Sequence, residues 1–135
     1  MAEVVIVRKC RHGQVRVLFG DVVKVEGDVM VIPANSRLAG REGLDERMQQ
    51  AAGSGLREHC AGIARKKRTS NLQPCSVGEA VSTPAFDLPA SNLVHVVGPD
   101  CRRPTQDTFR RELLRNSYEA MFEELGGIEP RETLV

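Results

Sequence analysis

The sequence predicts an α/β fold, and three observations carry that prediction. The run Val29-Met30-Val31-Ile32 is apolar at every position. A strand buried on both faces reads this way, which places it inside a sheet, parallel to a neighbour, with helices on either side. Two longer stretches, starting near Leu44 and near Phe109, repeat apolar residues every three or four positions, the period of an amphipathic helix. Strands and helices also intermix along the chain rather than segregating. With 135 residues, 41% of them apolar, the chain is long enough for one domain with a real core.

The elements follow in order. Val4-Val5-Ile6-Val7 is the first expected strand, and Gly13 supplies a turn. Val15, Val17 and Phe19 then alternate with Gln14, Arg16 and Leu18, as a second strand paired to the first would. Gly20-Asp21 ends it, and Gly27-Asp28 turns the chain into the run at residues 29–32. A small, polar, glycine-bearing segment occupies residues 33–43. Leu44, Met48, Ala51, Ala52, Leu56, Cys60 and Ile63 then trace a helix that Gly53-Ser54-Gly55 bends or breaks. Asp45 lies in its first turn, where a carboxylate favours the positive end of the helix dipole.

After the polar loop RTSNLQPCSVG, residues 79–83 read as a short strand stopped by Pro84. Leu93-Val94-His95-Val96-Val97 is a stronger one, stopped by Gly98-Pro99. The loop DCRRPTQD leads to a last helix, with Phe109, Leu113, Leu114, Tyr118, Met121, Phe122 and Leu125 at helical spacing and Gly126-Gly127 as its stop. Thr133-Leu134-Val135 begins one more strand. No internal repeat or low-complexity segment occurs.

Composition excludes several function classes. Aromatics are 4% and Trp is absent, so the core rests on Val, Leu, Ile, Ala and Met. A formal net charge of +1 argues against a general nucleic-acid binder driven by counterion release. The basic cluster RKKR at residues 65–68 reads as a solvated helix end. Cys10, Cys60, Cys75 and Cys101 are not paired at metal-ligand spacing, so no metal is implied. The first residues are too short and too interrupted for a signal peptide. No apolar run approaches the ~20 residues that span a bilayer. A reducing cytoplasmic setting with free thiols is expected, or a nuclear one in a eukaryote, with no membrane partner.

Four blocks then occur in order: GDV at residues 20–22, IPANSRLAGREGLD at 32–45, GEAVSTPAFDLP at 78–89 and VHVVGP at 94–99. With the helix ending QQAAG, they resemble the macro domain family, the ADP-ribose-binding modules. The spacing from Asn35 to Asp45 matches that family without a gap, and the resemblance runs from about Val15 to the last residue. It implies a three-layer α/β/α fold with a mixed central sheet, residues 1–135 as one macro-like domain, and no cofactor. The implied partner is ADP-ribose, free or on a modified protein. The implied ligand-binding residues are Asp21, Val22, Ala34, Asn35, Gly40, Arg41, Glu42, Gly43 and Leu44. The implied catalytic residues are Asn35 and Asp45.

Each position has its own chemistry. A macro-like site would use the Asp21 carboxylate to accept a hydrogen bond from an adenine amino group; on the residue alone, a turn Asp capping the next segment is the stronger reading. The Asn35 amide donates and accepts, which suits a ribose hydroxyl or a water, and an Asn tolerated at an unusual backbone conformation is equally consistent. Residues 39–44 precede a helix N-terminus, where free N–H groups favour an anion. The family has a glycine run there. Here Gly40 and Gly43 remain, but Arg41-Glu42 stands between them: Arg41 can reach phosphate, while Glu42 repels it and both crowd the path. By resemblance, Asp45 positions or activates a water near the distal ribose, a general-base role contributing about 10²–10⁴-fold in rate. His95 reads as a core or edge histidine satisfied by a hydrogen bond, Cys60 as a core residue, and none of the cysteines as a nucleophile.

A macro domain continues past its helix through a central strand and a second glycine-bearing loop that closes over the distal phosphate and ribose. Residues 133–135 stop inside what resembles that strand. The expectation is a chain lacking half of the clamp: a fragment, a truncated product, or a subunit completed by another chain or by self-association. The resemblance implies an ADP-ribose-binding module of the mono-ADP-ribosyl hydrolase or O-acetyl-ADP-ribose deacetylase type. A non-catalytic ADP-ribose reader and a degenerate interaction module stand as alternatives.

Overall fold

A computed structural model describes residues 2–102 and 106–135 of the chain. Residues 103–105, within the expected DCRRPTQD loop, lie outside the described residues. Strands β1 (Glu3–Cys10) and β2 (Gly13–Phe19) form an antiparallel hairpin with Glu3 opposite Phe19 and Cys10 opposite Gly13. The alternation at Val15, Val17 and Phe19 therefore does mark a paired strand. The hairpin is exposed at every position, and among the described elements it touches no other strand or helix.

The remaining strands build a mixed sheet. β3 (Val29–Pro33) runs parallel to β5 (Asn92–Val96), and β4 (Ala80–Pro84) lies antiparallel on the far side of β5, giving the order β3-β5-β4. The free side of β3 meets the chain's last residues. Val29 forms a parallel bridge with Leu134. Val31 N–H donates to the Val135 carbonyl at 2.7 Å, and Val135 N–H donates to the Val29 carbonyl at 2.8 Å. β3 thus has neighbours on both sides, as its unbroken apolar run requires.

Its side chains divide between two cores. Met30 and Ile32 pack with Met48, Ala52, Leu56 and Cys60 of α1 (Gly43–Ala52) and α2 (Ser54–Arg68). Val29 packs with Met121 and Leu125 of α3 (Asp107–Gly126) on the opposite face. Helices therefore cover both faces of the sheet. Each fully buried side chain of this kind contributes about 1.5–3 kcal/mol of transfer free energy.

The expected helix after Leu44 is broken at Gly53. Gly53 has φ +88° and ψ 179°, backbone angles that essentially only glycine adopts, so the junction needs glycine. The RKKR cluster forms the exposed last turn of α2, where cations favour the negative end of the helix dipole. All four cysteines are free, with Cys60 and Cys75 buried. Among the described residues no helix is long and apolar enough to cross a membrane.

Candidate functional site

The site grows from the end of β3. Ala34 N–H donates to the Val96 carbonyl at 2.8 Å, anchoring the strand end to β5. Asn35 then folds the following loop onto itself. Its Oδ1 accepts from Arg37 N–H at 3.1 Å and Ala39 N–H at 3.2 Å, while Leu38 N–H donates to the Asn35 carbonyl at 3.0 Å. The carbonyl end of the amide is engaged within the loop, which leaves Nδ2 as the outward donor.

Three residues here adopt left-handed backbone: Leu38 at φ 54°, Gly40 at φ 58° and Gly43 at φ 62°. The turns deliver the chain to the N-terminus of α1, where Glu42 is the capping residue but makes no side-chain cap. The first-turn N–H groups of α1 are thus left to an anion or to solvent. Arg41, Glu42, Gly43 and Leu44 are all exposed, and nothing lies within 4 Å of where a Gly43 β-carbon would stand.

Asp45, in contrast, turns inward and is only 6% exposed. Neither carboxylate oxygen has a partner in hydrogen-bond geometry. Burial pushes its carboxyl above the ordinary range; the Gln49 amide and the Asn35 and Gly40 N–H groups, lying close by, oppose that rise without cancelling it. One turn further along α1, Gln49 is 1% exposed, and its Nε2 donates to the Leu38 carbonyl at 3.2 Å. The Cys60 thiol is pushed up to about 11, by burial and then by the Asp45 charge, so it is no nucleophile at neutral pH.

Asp21 stands at a 3₁₀ turn, Val22–Lys24, which it caps by accepting from Val23 N–H at 3.3 Å. Its other oxygen accepts from Arg47 Nη2 at 2.9 Å, and this bond holds the carboxyl below the usual range. Across the loop, Arg102 makes a two-pronged ion pair with Asp100 at 2.9 and 3.1 Å. The Asp100 bond and charge, and then the charge of Glu42, stabilise its guanidinium, which brings a cation near the acidic residue of the loop.

An open cleft of about 570 Å³ runs along the outer wall of the loop, lined by Arg37, Gly40, Arg41, Glu46, Gln49 and Arg57 among others. Of the expected site residues, Gly40 and Arg41 line it; Asp21, Asn35 and Asp45 do not. Sequence reasoning did not single out Arg47, Gln49 or Arg102. Gln49 alone left a trace, as a polar residue beside Met48 and one turn after Asp45 on the inward face. Of the core and edge placements open to His95, the structure has the core: it is fully buried, its Nε2 lies 2.9 Å from Thr83 Oγ1, and burial lowers its pKa to about 4.

Comparison with known proteins bears on this arrangement. A family model described as Macro domain matches residues 31–127. The chain is 38% identical over 86 residues to a macro domain-containing protein of Listeria monocytogenes, covering 64% of this chain and 46% of that protein. It is 36% identical over 105 residues to the O-acetyl-ADP-ribose deacetylase of Escherichia coli, covering 78% of this chain and 55% of the relative. The Oceanobacillus iheyensis macrodomain solved with ADP superposes with a TM-score of 0.79 at 27% identity, over 90% of this chain and 62% of that one. The Trypanosoma brucei macrodomain in complex with ADP gives 0.60 at 30% identity, over 78% and 38%. The chain spans about half the length of the curated relatives it matches. The match over residues 31–127, together with the α/β/α layers and the glycine-bearing loop before α1, shows that the chain belongs to the macro domain family.

Proposed function

We propose that this chain binds ADP-ribose and that the Asn35–Asp45 pair serves hydrolysis of an ADP-ribosyl ester. One observation carries the reading: Asn35 and Asp45 bracket a loop whose left-handed Gly40 and Gly43 lead into an uncapped helix N-terminus. The similarity to an O-acetyl-ADP-ribose deacetylase and to macrodomains solved with ADP supports it. The loop of residues 39–44 would hold the diphosphate, with Gly40, Gly43 and Leu44 offering backbone, Arg41 adding charge and Glu42 opposing it. Asp21 would accept from the adenine amino group, with Val22 and Ala34 lining the nucleoside. Asn35 Nδ2 would donate to a ribose hydroxyl, since Oδ1 is engaged in the loop. Asp45, its carboxyl raised by burial, would take a proton from the attacking water as that water adds to the ester carbonyl, and return it to the ribose oxygen as the acyl–oxygen bond breaks, releasing the free acid and ADP-ribose.

The substrate would be an ADP-ribosyl ester, on a protein or a small acyl group. Glu42, exposed in the middle of the phosphate loop, favours a second reading, a reader that binds without turnover. The exposed apolar hairpin β1–β2 makes self-association, or pairing with another chain, the expected behaviour of these 135 residues as one unit. A cytoplasmic setting fits the free thiols. Calorimetric titration with ADP-ribose, beside timed release of labelled ADP-ribose from a modified protein, tests both readings: binding with release supports the hydrolase, and binding alone supports the reader.

A further inference from the structure

We infer that Gln49 is a positioning residue, whose buried side chain braces the turn of residues 38–40 against α1 and fixes the Gly40 N–H that lies near Asp45. For its consequence in turnover this rests on the role proposed above for Asp45; for its structural content it rests on geometry alone.

Four observations converge. First, Gln49 follows Asp45 by one helical turn, so both side chains project from the same face of α1. At 1% exposed, a glutamine is costly to bury unless its amide is used. Second, it is used: Nε2 donates to the Leu38 carbonyl at 3.2 Å. Leu38 has φ 54°, a conformation its β-carbon disfavours, so an outside tie is needed to keep the carbonyl turned toward the helix. Third, the same side chain sets the approach of Gly40. A β-carbon on Gly40 would lie 2.6 Å from Gln49 Cδ and 2.7 Å from Cγ, so the amide packs directly against the Gly40 backbone. Fourth, Gly40 N–H and the Gln49 amide are two of the groups that favour ionised Asp45. Asp45 Oδ1 and Oδ2 and Gln49 Oε1 are all buried without a hydrogen-bond partner. The carboxylate thus lies among the Gln49 amide and the Asn35 and Gly40 N–H groups, and Gln49 both supplies one of these dipoles and orients another, the Gly40 N–H.

The other groups around Asp45 do not share this role. From α2 the titratable neighbour is Cys60, whose thiol stays neutral with its pKa at about 11. From the loop, the groups acting on Asp45 are the backbone N–H groups of Asn35 and Gly40. From α1 itself, it is Gln49.

Two near-isosteric variants test the inference. Gln49→Met keeps the volume and removes the donor. Gln49→Glu keeps the shape and places a second carboxylate beside Asp45. The readouts are the Asp45 carboxyl titration by NMR, hydrogen exchange at the Gly40 amide, and ADP-ribose release. Both variants should move the Asp45 midpoint upward, Gln49→Glu by about one pH unit or more. Gly40 exchange should speed up at least about tenfold in Gln49→Met. In a hydrolytically active wild type, kcat should fall about tenfold or more with KM nearly unchanged, and the acid limb of the pH profile should follow the Asp45 midpoint. Should Gln49→Glu not fold, Gln49→Met decides through the same readouts. An unmoved Asp45 midpoint with unchanged Gly40 exchange overturns the inference, as does a drop in melting temperature with Asp45 titrating as before, which marks simple packing. A wild type that releases no ADP-ribose refutes the hydrolase reading, while the titration and exchange still decide on Gln49.

Discussion

Replacing Asp45 by asparagine should stabilise the protein at neutral pH. In the folded chain the carboxyl is 6% exposed with both oxygens unpartnered, and burial raises its pKa above the ordinary 3.8. The sign follows from linkage. Between 3.8 and the raised native value, the folded state still holds a proton that the unfolded chain has released, so stability falls as pH rises through that window and stays lower above it. Asparagine has nearly the same shape and no charge to bury. An unpartnered buried polar group costs about 1–3 kcal/mol, so the gain at neutral pH should be of that order. For a chain of this size that is a rise of roughly 3–10 °C in Tm. If Asp45 is the base proposed above, the same substitution should also stop ADP-ribose release, the trade expected where a site is strained for function. The assay is calorimetric melting of wild type and Asp45→Asn at neutral pH and at about pH 3, where both states of wild type are largely protonated and the gain should shrink. A loss of stability at neutral pH, or an equal gain at both pH values, would refute the reasoning.

Three further expectations follow from the site and its surroundings. Glu42→Gly should tighten ADP-ribose binding by about three- to fivefold at low salt, since a like charge near phosphate is removed and the loop backbone is freed; titration at two salt concentrations checks it. Asp21→Ala should weaken binding roughly tenfold by removing the proposed adenine acceptor, whereas Arg47→Ala, which frees the same carboxylate from its 2.9 Å ion pair, should leave binding equal or tighter. Because burial lowers the His95 pKa from 6.5 to about 4, stability should be full above pH 6.5 and fall by about 3 kcal/mol as pH drops toward 4. His95→Gln should flatten that part of the pH–stability curve in denaturant melts.

The layers of the fold were legible because β3 carries no polar side chain: Met30 and Ile32 answer one set of helices, Val29 the other, and such a run admits no solvent face. The hairpin was legible as a pair but not in its placement, since alternation at Val15, Val17 and Phe19 does not say what the apolar face meets. Gly53-Ser54-Gly55 admits a bend or a break, and what decides for the break is the Gly53 backbone, φ +88° and ψ 179°, which no residue pattern specifies. At the site, the loop and the Asn35–Asp45 spacing could be read directly. The burial of Asp45 could not, because a first-turn aspartate is expected at a helix surface for its interaction with the dipole. The Asp21–Arg47 pair joins residues far apart in sequence and leaves no local pattern. Gly40 reads from the sequence as a site of phosphate approach; the structure gives it a second reason, the Gln49 side chain packed against its backbone.

On the proposed function, the loop of residues 39–44 and the start of α1 hold the diphosphate of ADP-ribose. Calorimetric titration of the chain with ADP-ribose, repeated with Gly43→Val, tests it most directly. Gly43 has φ 62° and open space around its missing β-carbon, so valine there strains the backbone and stands where phosphate would approach, without touching the core. Saturable one-to-one binding by the wild type, weakened at least about tenfold in Gly43→Val while the fold and melting cooperativity persist, is the predicted result. Binding unchanged by Gly43→Val, or no saturable binding by the wild type, would contradict the claim.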